Sequence, residues 1–124
     1  MINQVLLYIA SLFLVFWGIA HLFPTKSVVK GFGDISIDNK RIITMEWITE
    51  GLALIFIGLI VASVTAIDKS HIISKTVYQL SFLMLSLMAV VSLFTGVKID
   101  FLPYKLCPII FISASILIIL GCYI

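Results

Sequence analysis

The sequence predicts an all-α integral membrane protein, a bundle of four helices that cross the bilayer. Three observations carry that prediction. Of the 124 residues, 62% are hydrophobic and only 11% charged, against about 45–50% and about 25% for an ordinary soluble domain. The apolar residues gather into four runs, each long enough to span, and the connections between the runs are short. A mean hydropathy of +1.25 leaves more apolar surface than a chain of this length could hide from water. The whole chain, 1–124, therefore reads as a single transmembrane domain with any chemistry placed among its helices or loops.

The first span covers residues 5–23, close to the roughly 20 residues that a helix rising 1.5 Å per residue needs to cross about 30 Å of hydrocarbon. A signal peptide fits this segment poorly. Met1, Ile2, Asn3 and Gln4 include no basic residue, and Phe23-Pro24 stands where a cleavage site needs small side chains. The second span, residues 42–67, is longer, and tilt or an interfacial first turn can absorb the excess. Residues 76–97 and 106–123 make the third and fourth. Pro103 and Pro108 suit a loop and an early helical turn, where a missing N–H costs little. Helices rather than an open sheet follow because every backbone group in lipid must be paired internally. The alternating strands of a barrel are absent. The first connection, 24–41, is the longest, and Gly31, Phe32, Gly33, Asp34 and Ser36 read as turns around a short amphipathic or re-entrant piece.

Basic residues set the expected orientation. Lys26, Lys30, Lys40 and Arg41 lie in the first loop and Lys98 and Lys105 in the third, while the second holds only Lys69 and Lys75. Loops one and three are expected in the cytoplasm and both termini outside, in a prokaryotic cytoplasmic membrane. The net charge of +2 forms no basic stripe with interleaved aromatics, so nucleic acid is not an expected partner. Lipid is. Cys107 and Cys122 sit fifteen residues apart on one helix, about 22 Å, and cannot pair with each other.

The polar residues inside the spans point to chemistry. Glu50 stands about two turns into the second span, where an ionised carboxylate costs about 2.5–3.5 kcal/mol at the helix centre. It is expected to face the bundle, to be protonated or to have a partner. Glu46 precedes it by four on the same face, as Trp17 precedes His21. The first connection returns the chain to the same side, so His21, Glu46 and Glu50 are expected to converge as catalytic candidates. Trp17 and Trp47 would form walls, and Asp100 and Tyr104 of loop three would add lining. Each has a plainer reading: Glu46 as an acid suiting a helix N-terminus, Glu50 as interhelical glue, His21 as an interfacial cap, and the tryptophans as membrane-belt anchors. Met84 and Met88 read as apolar filler, and His71 as a solvated loop residue. Gly51 and Gly58, seven apart, with Gly18 on the first span, read as close-packing positions.

One histidine and two glutamates resemble in type the ligands of helical di-iron bundles, but the Glu-x-x-His pairs those need are missing, so no metal site is expected. No C-x-x-C, H-E-x-x-H, G-x-S-x-G, P-loop or dinucleotide fingerprint occurs, and no motif names a cofactor. His21 and His71 lie at opposite ends of the spans, which excludes a bis-His haem within the chain.

The run Trp17, Gly18, Ile19, Ala20, His21, Leu22, Phe23, Pro24, then Gly31, Phe32, Gly33, then Glu46, Trp47, Ile48, Thr49, Glu50, Gly51, Leu52 resembles the first half of DoxX-like small four-helix membrane proteins. The resemblance covers residues 17–58. It implies mainly architecture. Members resemble membrane subunits of quinone-linked sulfur oxidation or assembly factors, and His21, Glu50 and Gly51 are the matching positions.

Two classes of function remain. In one, a one-sided polar pocket binds a small apolar or quinone- or isoprenoid-like ligand, with acid–base chemistry from His21, Glu46 and Glu50. In the other, the chain is a structural or assembly subunit, a homo-oligomer or the partner of another protein, and the polar cluster is glue. A transporter of paired chains ranks third, because the polar residues sit toward one end rather than at the midplane. Open space beside Glu50 discriminates the first class from the second.

Overall fold

Each apolar run becomes a helix, and local capping chemistry decides where the helix stops. The computed structural model describes residues 1–124 and contains five α-helices and no strand: α1 (Ile2–Leu22), α2 (Thr25–Gly31), α3 (Ile37–Asp68), α4 (Ile72–Phe94) and α5 (Leu102–Tyr123), with a 3₁₀ turn at Gly96–Lys98 before α5. Four of them, all but α2, are long and apolar enough to cross a membrane.

The long helices begin upstream of the apolar runs, and for α3 and α4 a polar side chain caps the earlier start. Ser36 Oγ accepts the Asn39 N–H at 3.2 Å and Asp38 sits in the first turn, so α3 starts five residues before the run 42–67. His71 Nδ1 accepts the Ile73 N–H at 3.2 Å, which makes this loop histidine the cap of α4. That helix ends at Phe94, before residue 97, where the chain tightens into the 3₁₀ turn. Pro103 falls in the first turn of α5 and Pro108 inside it. Pro108 lacks the N–H that would have met the Tyr104 carbonyl four residues back.

The four long helices run up and down as a square with three tight edges and one loose one. α1 packs against α3 and α5, α5 packs against α4, and α3 meets α4 only sparsely. The α1–α3 edge is close because both helices present small residues at a seven-residue spacing. A Cβ on Gly18 would come 2.7 Å from the Gly51 carbonyl oxygen, and one on Gly58 would come 2.7 Å from that of Ser11. The seven-residue spacing of Ser11 and Gly18 on α1 matches that of Gly51 and Gly58 on α3, which keeps the seam in register over two turns. Across the other edge, a Cβ on Gly121 of α5 would meet Leu7 at 2.6 Å. Leu14, Leu54, Val61, Leu85, Phe111 and Ile118 fill the interior between the seams.

Only 24 of 124 residues are buried, and large apolar side chains such as Leu12, Phe16, Leu52, Phe56 and Leu83 point outward. Water cannot solvate such a continuous apolar exterior, and lipid can. α1, α4 and α5, of 21, 23 and 22 residues, measure about 31–35 Å and match the hydrocarbon core. α3, of 32 residues, measures about 48 Å. Its first turns project beyond the end of α1, beside α2.

Candidate functional site

The last carbonyls of α1 have no partner within their helix, and the way they are satisfied builds the site. Thr25 Oγ1 donates to the Leu22 carbonyl at 2.6 Å, and the indole N–H of Trp47 on α3 donates to the His21 carbonyl at 2.6 Å. That second bond brings Trp47 flat onto the His21 ring, with centroids 3.9 Å apart and planes 15° from parallel. Tyr104 of α5 meets Trp47 edge-on, with ring centroids 5.5 Å apart. The stack fixes the imidazole and aims one nitrogen at α3. His21 Nε2 lies 3.5 Å from Glu50 Oε2, about 0.5 Å beyond an ordinary N–H···O bond.

The two partners live in different surroundings. The His21 side chain is 4% exposed and that of Glu50 is 40% exposed, and buried Nε2 has no hydrogen-bond partner at all. Buried polar atoms are almost always satisfied, so an unsatisfied one requires an explanation. A proton on either atom would join the pair after a small side-chain rotation.

Glu50 also faces open space. Because α3 and α4 diverge from their short connection, an open groove of about 440 Å³ lies between them, lined by Glu46, Trp47 and Glu50 of α3, Met84 and Met88 of α4, and Tyr104 of α5. Val28 and Phe32, on α2 and just after it, close one end. A second depression of about 460 Å³ adjoins it and shares Val28, Phe32 and Tyr104, with Asp100 on its rim.

The structure thus brings together His21, Glu50, Trp47 and Tyr104, with Glu46 along the same groove. Glu46 is exposed and engages no ion pair. Asp100 stands apart, held by Lys105 at 3.0 Å. Trp17 does not line the groove. Its indole nitrogen is buried without a hydrogen bond, on the side of α1 that faces Cys107. Trp47 is neither belt anchor nor simple wall, because its N–H terminates α1. Met84 and Met88, read from sequence as filler, form the wall opposite Glu50, and their i, i+4 spacing in a leucine-rich helix was the available signal. No three His, Cys, Asp or Glu side chains cluster as a metal site requires.

At the far end of the bundle the polar groups pair fully. Tyr78, completely buried, exchanges a 2.9 Å hydrogen bond with Thr65. Thr65 Oγ1 also reaches the Val61 carbonyl at 2.6 Å, and Ser74 Oγ reaches that of Asp68 at 2.6 Å. No family model, no curated protein and no solved structure matches the chain, so the resemblance of residues 17–58 to DoxX-like proteins rests on those residues alone.

Proposed function

We propose that the groove between α3 and α4 binds a small apolar or amphipathic molecule, quinone- or isoprenoid-like, that reaches it sideways from the lipid. The observation that carries this reading is the buried, unpartnered His21 Nε2 aimed at a groove-lining carboxylate. Interhelical glue would be paired, as Thr65 and Tyr78 are. Met84, Met88, Ile42 and Phe32 suit the apolar body of such a ligand, and Glu50 suits its polar head. With its proton on the carboxyl, Glu50 donates to a ligand carbonyl oxygen. With the proton on the imidazole, Glu50 is a carboxylate that accepts from a ligand hydroxyl. Moving the proton between Nε2 and Oε2 converts one state into the other, which is the minimum needed for acid–base chemistry on the head group. Glu46, one turn away, would serve the same head at the groove mouth.

In this reading loops one and three face the cytoplasm of a prokaryotic cell and both termini face outward, following the six basic residues on the loop-one side. The quinone-linked role implied by the DoxX-like resemblance is compatible with the same groove.

The loose α3–α4 edge favours one alternative, in which a helix of a partner subunit fills the groove and the chain is an assembly component. Native mass spectrometry of gently purified wild type, Glu50→Gln and Met84→Trp separates the two. The ligand reading expects a small-molecule adduct on wild type that both variants lose, one by losing the carboxylate and the other by filling the groove. An empty chain arriving with a stoichiometric protein would establish the alternative and sink the ligand assignment.

A further inference from the structure

A third depression, on the other face of α2 from the groove, is lined by basic rather than acidic side chains. Lys26 and Lys30, four apart on one face of α2, and Lys40, in the first turns of α3, line a space of about 310 Å³ together with Thr25, Val29 and Thr44. None of the three lysines is ion-paired. The chain's carboxylate contacts within 4.0 Å are those of His21 with Glu50, Arg41 with Asp38 and Lys105 with Asp100. No acidic residue lines the depression. Gly33, at φ +75, makes the left-handed turn that folds the start of α3 back beside α2 and brings Lys40 to the other two. Both threonine hydroxyls are committed to backbone carbonyls, Thr25 to Leu22 and Thr44 to Lys40, so the ammonium groups are the free donors.

Three like charges around one opening repel one another unless an anion joins them. The depth is also informative. Thr25 follows the end of α1 by three residues, which places the lysines where hydrocarbon gives way to head groups. Phe23 and Phe32 on either side of α2 are 84% and 53% exposed, as aromatic side chains at that boundary are.

We propose that this depression holds a phosphate group, shared among Lys26, Lys30 and Lys40. The group belongs either to the head of an anionic phospholipid or to free inorganic phosphate. The site does not depend on what occupies the groove, since α2 turns Val28 toward one and Lys26 and Lys30 toward the other.

The test is native mass spectrometry of the delipidated full chain titrated with phosphatidylglycerol, with phosphatidylcholine and with inorganic phosphate. Wild type is compared with Lys26→Gln/Lys30→Gln/Lys40→Gln, with the corresponding triple arginine variant, and with Lys69→Gln/Lys75→Gln at the opposite end. One phosphatidylglycerol should be retained by wild type, by the arginine variant and by the Lys69/Lys75 variant, and bound about 100-fold more weakly by the triple glutamine variant. Retention against millimolar inorganic phosphate assigns the lipid as the source. A phosphate adduct that displaces the lipid, and is lost in the same variant, assigns the free ion. Equal retention by wild type and the triple glutamine variant, equal loss in the Lys69/Lys75 variant, or loss in the arginine variant would each overturn the proposal.

Discussion

The two ends of this bundle handle polar groups in opposite ways. At the end where α3 turns into α4, Thr65, Ser74 and Tyr78 are buried and every one of their hydroxyls is hydrogen-bonded. At the other end, His21 is buried with an unsatisfied nitrogen, Trp17 likewise, and Glu50 stands half-exposed beside open space. Both ends belong to the same helices. Polar residues that hold a membrane bundle together are satisfied within it, and the unsatisfied end is the one on which the ligand proposal rests. The tight Gly18–Gly51 and Ser11–Gly58 seam makes the contrast possible, because it fixes α1 on α3 firmly enough that the α3–α4 edge is free to open.

The seam is therefore where the comparison breaks most severely. Gly18→Val places side-chain carbon against the Gly51 carbonyl, a backbone atom that cannot rotate away, and should cost about 3 kcal/mol of stability. It should also draw His21 away from Glu50. Thermal unfolding in detergent reads the first effect. Hydrogen exchange should show the loss concentrated around residues 18–22 and 47–51, with the Thr65–Tyr78 end still protected. Uniform loss of protection would mean that the two ends are one cooperative unit.

Trp47→Phe comes next. It keeps the ring on His21 but removes the N–H that closes the last turn of α1, leaving a buried carbonyl unsatisfied at about 2 kcal/mol. A loss below about 0.5 kcal/mol would show that the carbonyl finds another donor and that stacking alone positions His21.

How much of this was legible in the sequence follows from range. The four spans could be read because hydrophobicity over about 20 residues is a strong, additive signal. Their ends were legible only partly. The capping by Ser36 and His71 uses short-range bonds that the apolar pattern does not record, so both helices start earlier than their apolar runs. His21, Glu46 and Glu50 could be brought to one end because a short connection fixes depth. Rotation about the helix axis is different. Whether Trp17 or Trp47 faces the histidine, and whether Asp100 joins the group or pairs with Lys105, depends on angles that the Gly18–Gly51 contact sets across the chain. The groove was invisible for a related reason: it is the missing contact between α3 and α4, and Met84 and Met88 look like core residues until that contact is absent.

A smaller effect sharpens the paired end. Tyr78→Phe deletes one hydroxyl from a fully packed site, and Thr65 keeps its bond to the Val61 carbonyl. The cost should be that of a single exchanged hydrogen bond, about 1 kcal/mol, with no change in ligand retention. Ligand loss in this variant would tie the two ends together and remove the contrast.

The smallest expected change in stability is the most discriminating, because its sign is opposite. Glu50→Leu removes a carboxylate that has only a 3.5 Å contact with a nitrogen it does not hydrogen-bond, in a segment where leucine is the favoured residue. If Glu50 is retained for a ligand, the chain gives up stability to keep it, and the substitution should leave the unfolding free energy unchanged or raise it by about 0.5 kcal/mol while abolishing small-molecule retention. If Glu50 is glue, the same substitution strands a buried imidazole and should cost about 2 kcal/mol. Unfolding of Glu50→Leu beside Tyr78→Phe in one detergent decides between them: a loss in Tyr78→Phe with none in Glu50→Leu separates the roles of the two ends, and losses in both make both ends scaffolding.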